Sequence, residues 1–385
     1  MKAIRNSGLK RSEALLLEFL RAALWEKPAA PEAYTEGTIA WKELTELAAK
    51  QSVKGMVCHV AGLLPEAQMP PRDLRLQMHF YLLRNAQTHD LLNKRLAEVV
   101  TLCKEHGLHP VLLKGQGLAA NYPIPTLRQC GDIDLYIGRQ DYAKACGLID
   151  GLVEEKAREK ASETFKHYHI RYKEVDLELH ATSERLNPPR YDRFYQRWSA
   201  RQLSPRYVSR LTFEGVEVEV PPVEFNTLYI FSHIWHHFTT SGIGLRQLCD
   251  WVLYLHRHAG EIDADRLEYN LLQVGLMRPW RIFGCLAVSY LGLPREEFPQ
   301  YKAGYDRLAR KALKRIMREG NFGRDRDLSK KRRSISHPII RKIHSLGCHA
   351  RRFIVMMPYS PTYACHDFRY VLTNGISSLF KERKA

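Results

Sequence analysis

Apolar residues recur at helical spacing along most of the chain, and the spacing changes to strict alternation only in a central stretch. "SEALLLEFLRAALW" from Ser12 and "WKELTELAAKQSVKGMVCHVAGLL" from Trp41 repeat their apolar positions every three to four residues. That period predicts amphipathic helices, with Ser12 placed to cap the first. Pro70 and Pro71 break the chain, and a long helix is predicted from about Leu74 to His106, ended by Gly107. At 109 the pattern changes. "HPVLLKG" predicts a short buried strand, "GLAANY" a short helix stopped by Pro123 and Pro125, "DIDLYIG" a strand, and "RQDYAKACGLIDGLV" a helix. "TFKHYHIRYK" and "EVDLELH" alternate with period two, as paired strands do. The order from 109 to 180 is β-α-β-α-β-β. Pro221 and Pro222 return the chain to helix, beginning with "VEFNTLYIFSHIWHHF". The division that follows is a helical region over 1–106, an α/β core over 107–221 and a helical domain over 222–385. The predicted fold class is α+β, a small mixed sheet flanked by helices on both sides in sequence.

Length and composition change this picture little. A chain of 385 residues is long enough for a sizeable core. No stretch reaches the roughly 20 apolar residues that span a bilayer, so no membrane partner is expected. Glu13, Glu18 and Arg21 interrupt the N-terminal apolar run, which fits a folded helix better than a signal peptide. The eight cysteines are scattered without a close pair. That excludes a zinc ribbon and points to free thiols in a reducing, cytoplasmic setting. Charge matters more. Lys and Arg number 59 against 42 Asp and Glu, a balance of +17. From Lys302 to Arg333 there are 13 basic residues against 4 acidic, ending in "KKRR". Such a patch suits a polyanion, RNA, DNA or nucleotide phosphates, although a solvated helix face has the same composition.

The alternation in the core carries the chemistry. Side chains at i and i+2 of a strand share a face about 6.5–7 Å apart. Asp132 and Asp134 therefore point one way, and Ile133, Leu135 and Ile137 point the other. Two like charges this close repel and resist desolvation. A divalent cation between them removes both costs, and Mg²⁺ takes carboxylate oxygens together with substrate phosphates; Mn²⁺ is the alternative. "EVDLELH" repeats the pattern, with Val175, Leu177 and Leu179 on one face and Asp176, Glu178 and His180 on the other. Asp176 or Glu178 is thus a third ligand for the same cation. Lys114 and Gly115 end the preceding strand and Arg128 lies four residues before Asp132, so an ammonium, a glycine backbone and a guanidinium are available to phosphates.

"LLKGQGLAANYPIPTLRQCGDIDLYI" resembles the signature of the bacterial uncharacterised nucleotidyltransferase family within the polymerase-β-like superfamily. The "ELH" at 178–180, the "HIWHHF…GIGLRQLCDW" segment and "WKELTELAAKQSV" extend the resemblance over roughly residues 40–255. It implies a nucleotidyltransferase core with helical additions. Asp132 and Asp134 match the superfamily's metal pair, and Glu178, two residues before His180, matches the third acidic position better than Asp176. Lys114-Gly115 stands where many members carry Gly-Ser, which leaves the triphosphate contacts of Lys114, Gly115 and Arg128 open.

Other groups compete for attention. His233 and His237 share a helix face at a spacing some zinc ligands use, but a polar cleft face or a packed histidine is the plainer reading. Arg246 and Asp250 sit at i, i+4 and are expected to pair, unless Arg246 serves a substrate. His180 either orients a carboxylate or ends a strand. Gly320 and Gly323 of "REGNFGRDRD" suit a tight loop. Tyr359, Tyr363, Phe368 and Tyr370 could stack on bases or pack in a core. The expectation is an Mg²⁺-dependent enzyme moving a nucleoside monophosphate from ATP or another nucleoside triphosphate to an acceptor hydroxyl, with RNA or tRNA as one acceptor. A non-catalytic nucleotide- or RNA-binding protein on the same fold, and a transferase acting on a small molecule, are the alternatives.

Overall fold

A computed structural model describes residue 4 and residues 8–31, 38–155, 158, 161–163, 167–321 and 338–381. In chain order the helices before the sheet are α1 (Arg11–Trp25), α2 (Trp41–Lys50), α3 (Lys54–Ala61) and α4 (Arg72–Glu105). Next come β1 (Val111–Leu112), α5 (Gln116–Ala119), β2 (Asp132–Tyr136), α6 (Tyr142–Asp150), β3 (Ser162–Glu163), β4 (His167–Tyr172) and β5 (Val175–His180). The chain then runs through α7 (Pro189–Gln202), β6 (Ser209–Phe213), β7 (Val216–Val220), α8 (Val223–Thr239), α9 (Leu245–Arg257), α10 (Ala264–Gln273) and α11 (Met277–Leu286). It ends in α12 (Asp306–Glu319), α13 (Pro338–Met356) and α14 (Pro361–Lys381). The fold is α+β, as the periodicity predicts.

The strands form one mixed sheet in the order β3-β4-β5-β2-β1-β7-β6. β2 runs parallel to β5 and β1 parallel to β7, while the remaining neighbours are antiparallel. Ile133, Leu135, Leu177 and Leu179 are wholly buried on one face, in a cluster with Leu96, Val99, Val100 and Cys103 of α4 and Ala145 and Ile149 of α6. Each such side chain contributes about 1.5–3 kcal/mol. A slip of one residue would carry all of them to the other face, so this apolar layer fixes which way the intervening carboxylates point.

The hairpin of β6 and β7 is not anticipated above. "SRLTFEGVEVEV" alternates as strands do, and its turn residues Glu214 and Gly215 have φ of 49° and 76°, the pairing of signs that a two-residue hairpin loop requires. The run from Trp41 to Leu64 is two helices rather than one, parted where Ser52 takes φ of 56°. Ser12 lies inside α1, its hydroxyl donating to Glu43 Oε1 at 2.8 Å. The cap is made instead by Glu13, whose Oε2 accepts from the Lys10 N–H at 2.9 Å.

The helices on either side of the sheet in sequence share one core, running from Phe19 and Val57 through Phe231, Trp251 and Trp280 to Tyr363. Polar bonds stitch it: Gln51 Nε2 donates to the Ile316 and Met317 carbonyls at 3.1 and 3.2 Å, and Asn321 Nδ2 donates to Ser52 Oγ at 2.9 Å. Tyr359 and Tyr363 are buried there against Phe238 and Trp235, and Phe368 packs on Phe353. Tyr359 and Tyr363 are core groups, whereas Phe368 is half-buried and Tyr370 is exposed. The "KKRR" run and Gly323 lie outside the described residues. No helix among the described residues is long and apolar enough to cross a membrane.

Candidate active site

The face of β2 and β5 opposite the apolar layer forms the floor of a cavity of about 290 Å³, and the N-terminal turns of α9 and one face of α8 form its walls. The parallel register sets Asp134 beside Glu178 and Asp132 beside Asp176. Of these four, Asp132, Asp134 and Glu178 line the cavity. Asp176 does not; its carboxylate turns to Arg171 at 3.0 Å and His169 at 3.6 Å on β4. The third carboxylate lining the cavity is therefore Glu178, and Asp176 lies outside that lining. The cause is its place at the open end of the strand pair, beside a guanidinium.

Asp134 is the most deeply placed, 1% exposed. Its Oδ1 accepts from Lys114 Nζ at 3.0 Å and from His180 Nε2 at 2.9 Å. Burial works against its charge, but Lys114 and His180 outweigh burial and hold the carboxyl well below its ordinary value. Asp132 behaves in the opposite way. The charge of Asp134, with burial added, raises its carboxyl despite Lys114. Glu178 is lowered: burial opposes its charge, the hydrogen bond from His180 favours it, and the Asp134 charge again opposes. Lys114 is raised because Asp134 and Asp132 overcome the cost of its burial. Gly115, with φ of 60°, lets the chain turn directly after Lys114, where a Cβ would lie 3.3 Å from the Asp132 carbonyl.

His180 is buried, not the exposed end of a strand. It reaches Asp134 and, at 3.4 Å, Glu178, which is how a histidine orients ligand carboxylates. Its neighbour across the antiparallel pair is His167, and His167, Glu178 and His180 bring one ligand atom each within 4.8 Å of the others. His167 is absent from the residues singled out above, although the alternation "HYH" in β4 places it on the acidic face.

Arg128 lines the cavity but does not offer its guanidinium to it. Nε and Nη2 donate to Asp250 Oδ1 and Oδ2 at 2.8 and 2.9 Å, and Nη1 to Cys130 Sγ at 2.9 Å. Tyr122 Oη donates to the same carboxylate at 2.7 Å. The segment is clamped from α4: Asn85 Nδ2 donates to the Thr126 carbonyl, and a ring nitrogen of His89 lies 2.7 Å from the Arg128 carbonyl. The expected Arg246–Asp250 pair is accordingly not made. A fork from a neighbouring segment matches a carboxylate better than a one-turn helix contact, and Arg246 Nη1 donates instead to the Gln129 carbonyl at 2.6 Å.

Behind the opposite wall lies a group that sequence reasoning missed altogether. Glu184, wholly buried in the loop after β5, lies with Oε2 3.1 Å from His233 Nδ1 and Oε1 3.7 Å from His236 Nδ1. His237 Nδ1 lies 2.6 Å from Ser241 Oγ. Burial, with the neighbouring His233 and His236, pushes the His237 imidazole down to about 2. The zinc spacing at 233 and 237 is thus a carboxylate-anchored histidine and a neutral packed one.

Residues 37–292 match the model of a family described as "Uncharacterised nucleotidyltransferase". The chain belongs to this nucleotidyltransferase family. No curated protein and no solved structure matches it. The match takes in the whole cavity, from Lys114 through Asp132, Asp134, Glu178 and His233 to Asp250. Membership of a nucleotidyltransferase family gives the general activity, nucleotidyl transfer from a nucleoside triphosphate.

Proposed function

We propose that the protein is a metal-dependent nucleotidyltransferase in which Asp132, Asp134 and Glu178 hold Mg²⁺, or Mn²⁺ in its place. The observation that carries this reading is the charge deficit of the cavity floor: three carboxylates converge from two parallel strands, with Lys114 in contact with Asp134 and Arg246 acting on Asp132 from farther away. The raised Asp132 carboxyl is the direct expression of that deficit. All-oxygen donors suit a hard cation. His180, already hydrogen-bonded to Asp134, serves better to orient carboxylates than to ligate with His167. A bound divalent ion would supply Lewis-acid polarisation of the α-phosphate.

The chain's own residues do the rest. Lys114 balances Asp134 and faces the incoming phosphates from the end of β1. Glu178, the most accessible of the three carboxylates, takes the proton of the acceptor hydroxyl. A bond forms from the acceptor oxygen to the α-phosphorus while the bond from that phosphorus to pyrophosphate breaks. Arg128 acts at one remove, fixing the segment that leads into β2. For the acceptor, α12 exposes Arg307, Arg310, Lys311, Lys314 and Arg318 along one side, a stripe that favours a polyanion such as RNA. The buried thiols Cys58, Cys103, Cys130, Cys249 and Cys285 are free, which fits a reducing compartment such as the cytoplasm.

The test incubates the purified protein with each labelled triphosphate, Mg²⁺ and total cellular RNA. Label is expected in RNA, and chelator should abolish it. Asp134→Asn should lower transfer by about 10²- to 10³-fold with its circular dichroism spectrum intact. Full transfer by that variant would overturn the mechanism.

A further inference from the structure

We propose that the face of α8 carrying Tyr229, His233 and His236 is the polyphosphate wall of the cavity, with Glu184 the buried positioning residue behind it. The proposal rests on the nucleotide-binding reading above and assigns one end of the substrate within it. These three residues fall at i, i+4 and i+7 of one helix, hence on one face, and all three line the cavity whose floor is Asp132, Asp134 and Glu178. They span about 10 Å of helix, the reach of a short chain of phosphates.

Accounting for cations leads to the same wall. A triphosphate brings several negative charges; of the cavity's permanent cations Lys114 and Arg128 are committed to carboxylates, and Arg246 Nη1 donates only to a neutral carbonyl. All three nitrogens of Arg128 bond to Asp250 and Cys130, and Lys114 sits on Asp134. Glu184 explains why histidines suffice. A carboxylate only accepts, so His233 Nδ1, 3.1 Å from Glu184 Oε2, carries the proton of that bond, while His236 Nδ1 lies beyond hydrogen-bond distance at 3.7 Å. The proton an imidazolium has left is on Nε2, at the opposite edge of the ring, and an anionic oxygen there completes the charge match with Glu184. Tyr229 adds an independent sign. Its side chain is 1% exposed, yet its hydroxyl has no hydrogen-bond partner among the described residues. A buried hydroxyl in a cavity wall without a partner costs free energy, and a phosphate oxygen would supply one. Arg246 Nε, on the same cavity, is likewise buried and unpartnered among the described residues.

Calorimetry on the full chain with Mg²⁺ tests this by measuring ATP, AMP and tripolyphosphate. Wild type should prefer ATP to AMP and should bind tripolyphosphate. His233→Ala, His236→Ala and Glu184→Gln should each weaken ATP and tripolyphosphate by about 10- to 100-fold and leave AMP unchanged. His236 is more exposed than His233, so its variant reads binding even if Glu184→Gln fails to fold. Equal weakening of ATP and AMP would place these residues at the nucleoside or in the cavity's shape and overturn the proposal, as would no change at all. A wild type that binds ATP but shows no preference over AMP overturns this inference alone, whereas a wild type that binds no nucleotide overturns the reading beneath it as well.

Discussion

Asp134 and Asp250 are both aspartates, both nearly inaccessible, and both line the same cavity, yet their surroundings differ in a way that separates support from chemistry. Asp250 is matched one to one. Its two oxygens receive a bidentate Arg128 and the Tyr122 hydroxyl. Asp134 has Lys114 and His180, but shares their charge with Asp132 and Glu178. Burial alone therefore says little about role. A saturated buried charge holds a segment in place, and a buried cluster left short of cations is waiting for one.

The largest effect should come from breaking the saturated pair. Removing one partner of a buried ion pair strands the other, at a cost of about 3–5 kcal/mol. Asp250→Ala should lower stability by that amount in urea unfolding, with transfer lost only in proportion to the unfolded fraction. An Asp250→Ala protein of wild-type stability would show that the pair is not structural. The same pair sets an acid limit. Arg128 overcomes the cost of burial and lowers the Asp250 carboxyl below its ordinary 3.8. Between the lowered folded value and 3.8 the unfolded chain binds more protons, so stability falls as pH falls. The contribution is full above 3.8 and is lost below it. Asp250→Asn should flatten the acid limb of a stability–pH curve, and an unchanged limb would assign it to other carboxylates.

The unsaturated cluster should respond with the opposite sign. Without metal, Asp132 is repelled first by Asp134 and then penalised by burial, so Asp132→Asn should raise the melting midpoint in chelator. Mg²⁺ should then stabilise wild type, because a ligand that binds only the folded state adds RT ln(1 + [L]/Kd), and should do little for the variant. Stabilisation of both proteins alike by Mg²⁺ would put the ion elsewhere.

The sequence and the structure agree where information is local. The period-two acids of β2 and β5 and the 3.6-period of α4 follow from neighbours within a few residues, and so does the turn at Gly107. The same alternation was there to be read in β6 and β7, with Glu214-Gly215 as its turn. What escapes local spacing is partner choice. Arg128 and Asp250 stand 122 residues apart, so the i, i+4 rule assigned Asp250 to Arg246. Glu184 sits in an aperiodic loop 49 residues before His233, and nothing in "ATSERLNP" marks it as buried. Asp176 and Glu178 look equivalent in "EVDLELH"; only the pairing of β5 with β4, which brings Arg171 to Asp176, and with β2, which sets Glu178 and His180 beside Asp134, tells them apart.

That distinction yields the smallest prediction and the most discriminating. Asp176 shares a strand face with Glu178 and lies in register with Asp132, so spacing alone would give it a ligand's role. Its carboxylate is about two-fifths exposed and already paired with Arg171, and an exposed pair of this kind contributes about 0.2–1 kcal/mol. Asp176→Asn should therefore leave transfer within about threefold of wild type and shift stability by less than about 1 kcal/mol, while Glu178→Gln two residues away should reduce transfer as Asp134→Asn does. A loss of activity in Asp176→Asn that higher Mg²⁺ restores would mean that the cation lies nearer the open end of β2 and β5, and that Asp132 and Asp176, not Asp134 and Glu178, are its principal ligands.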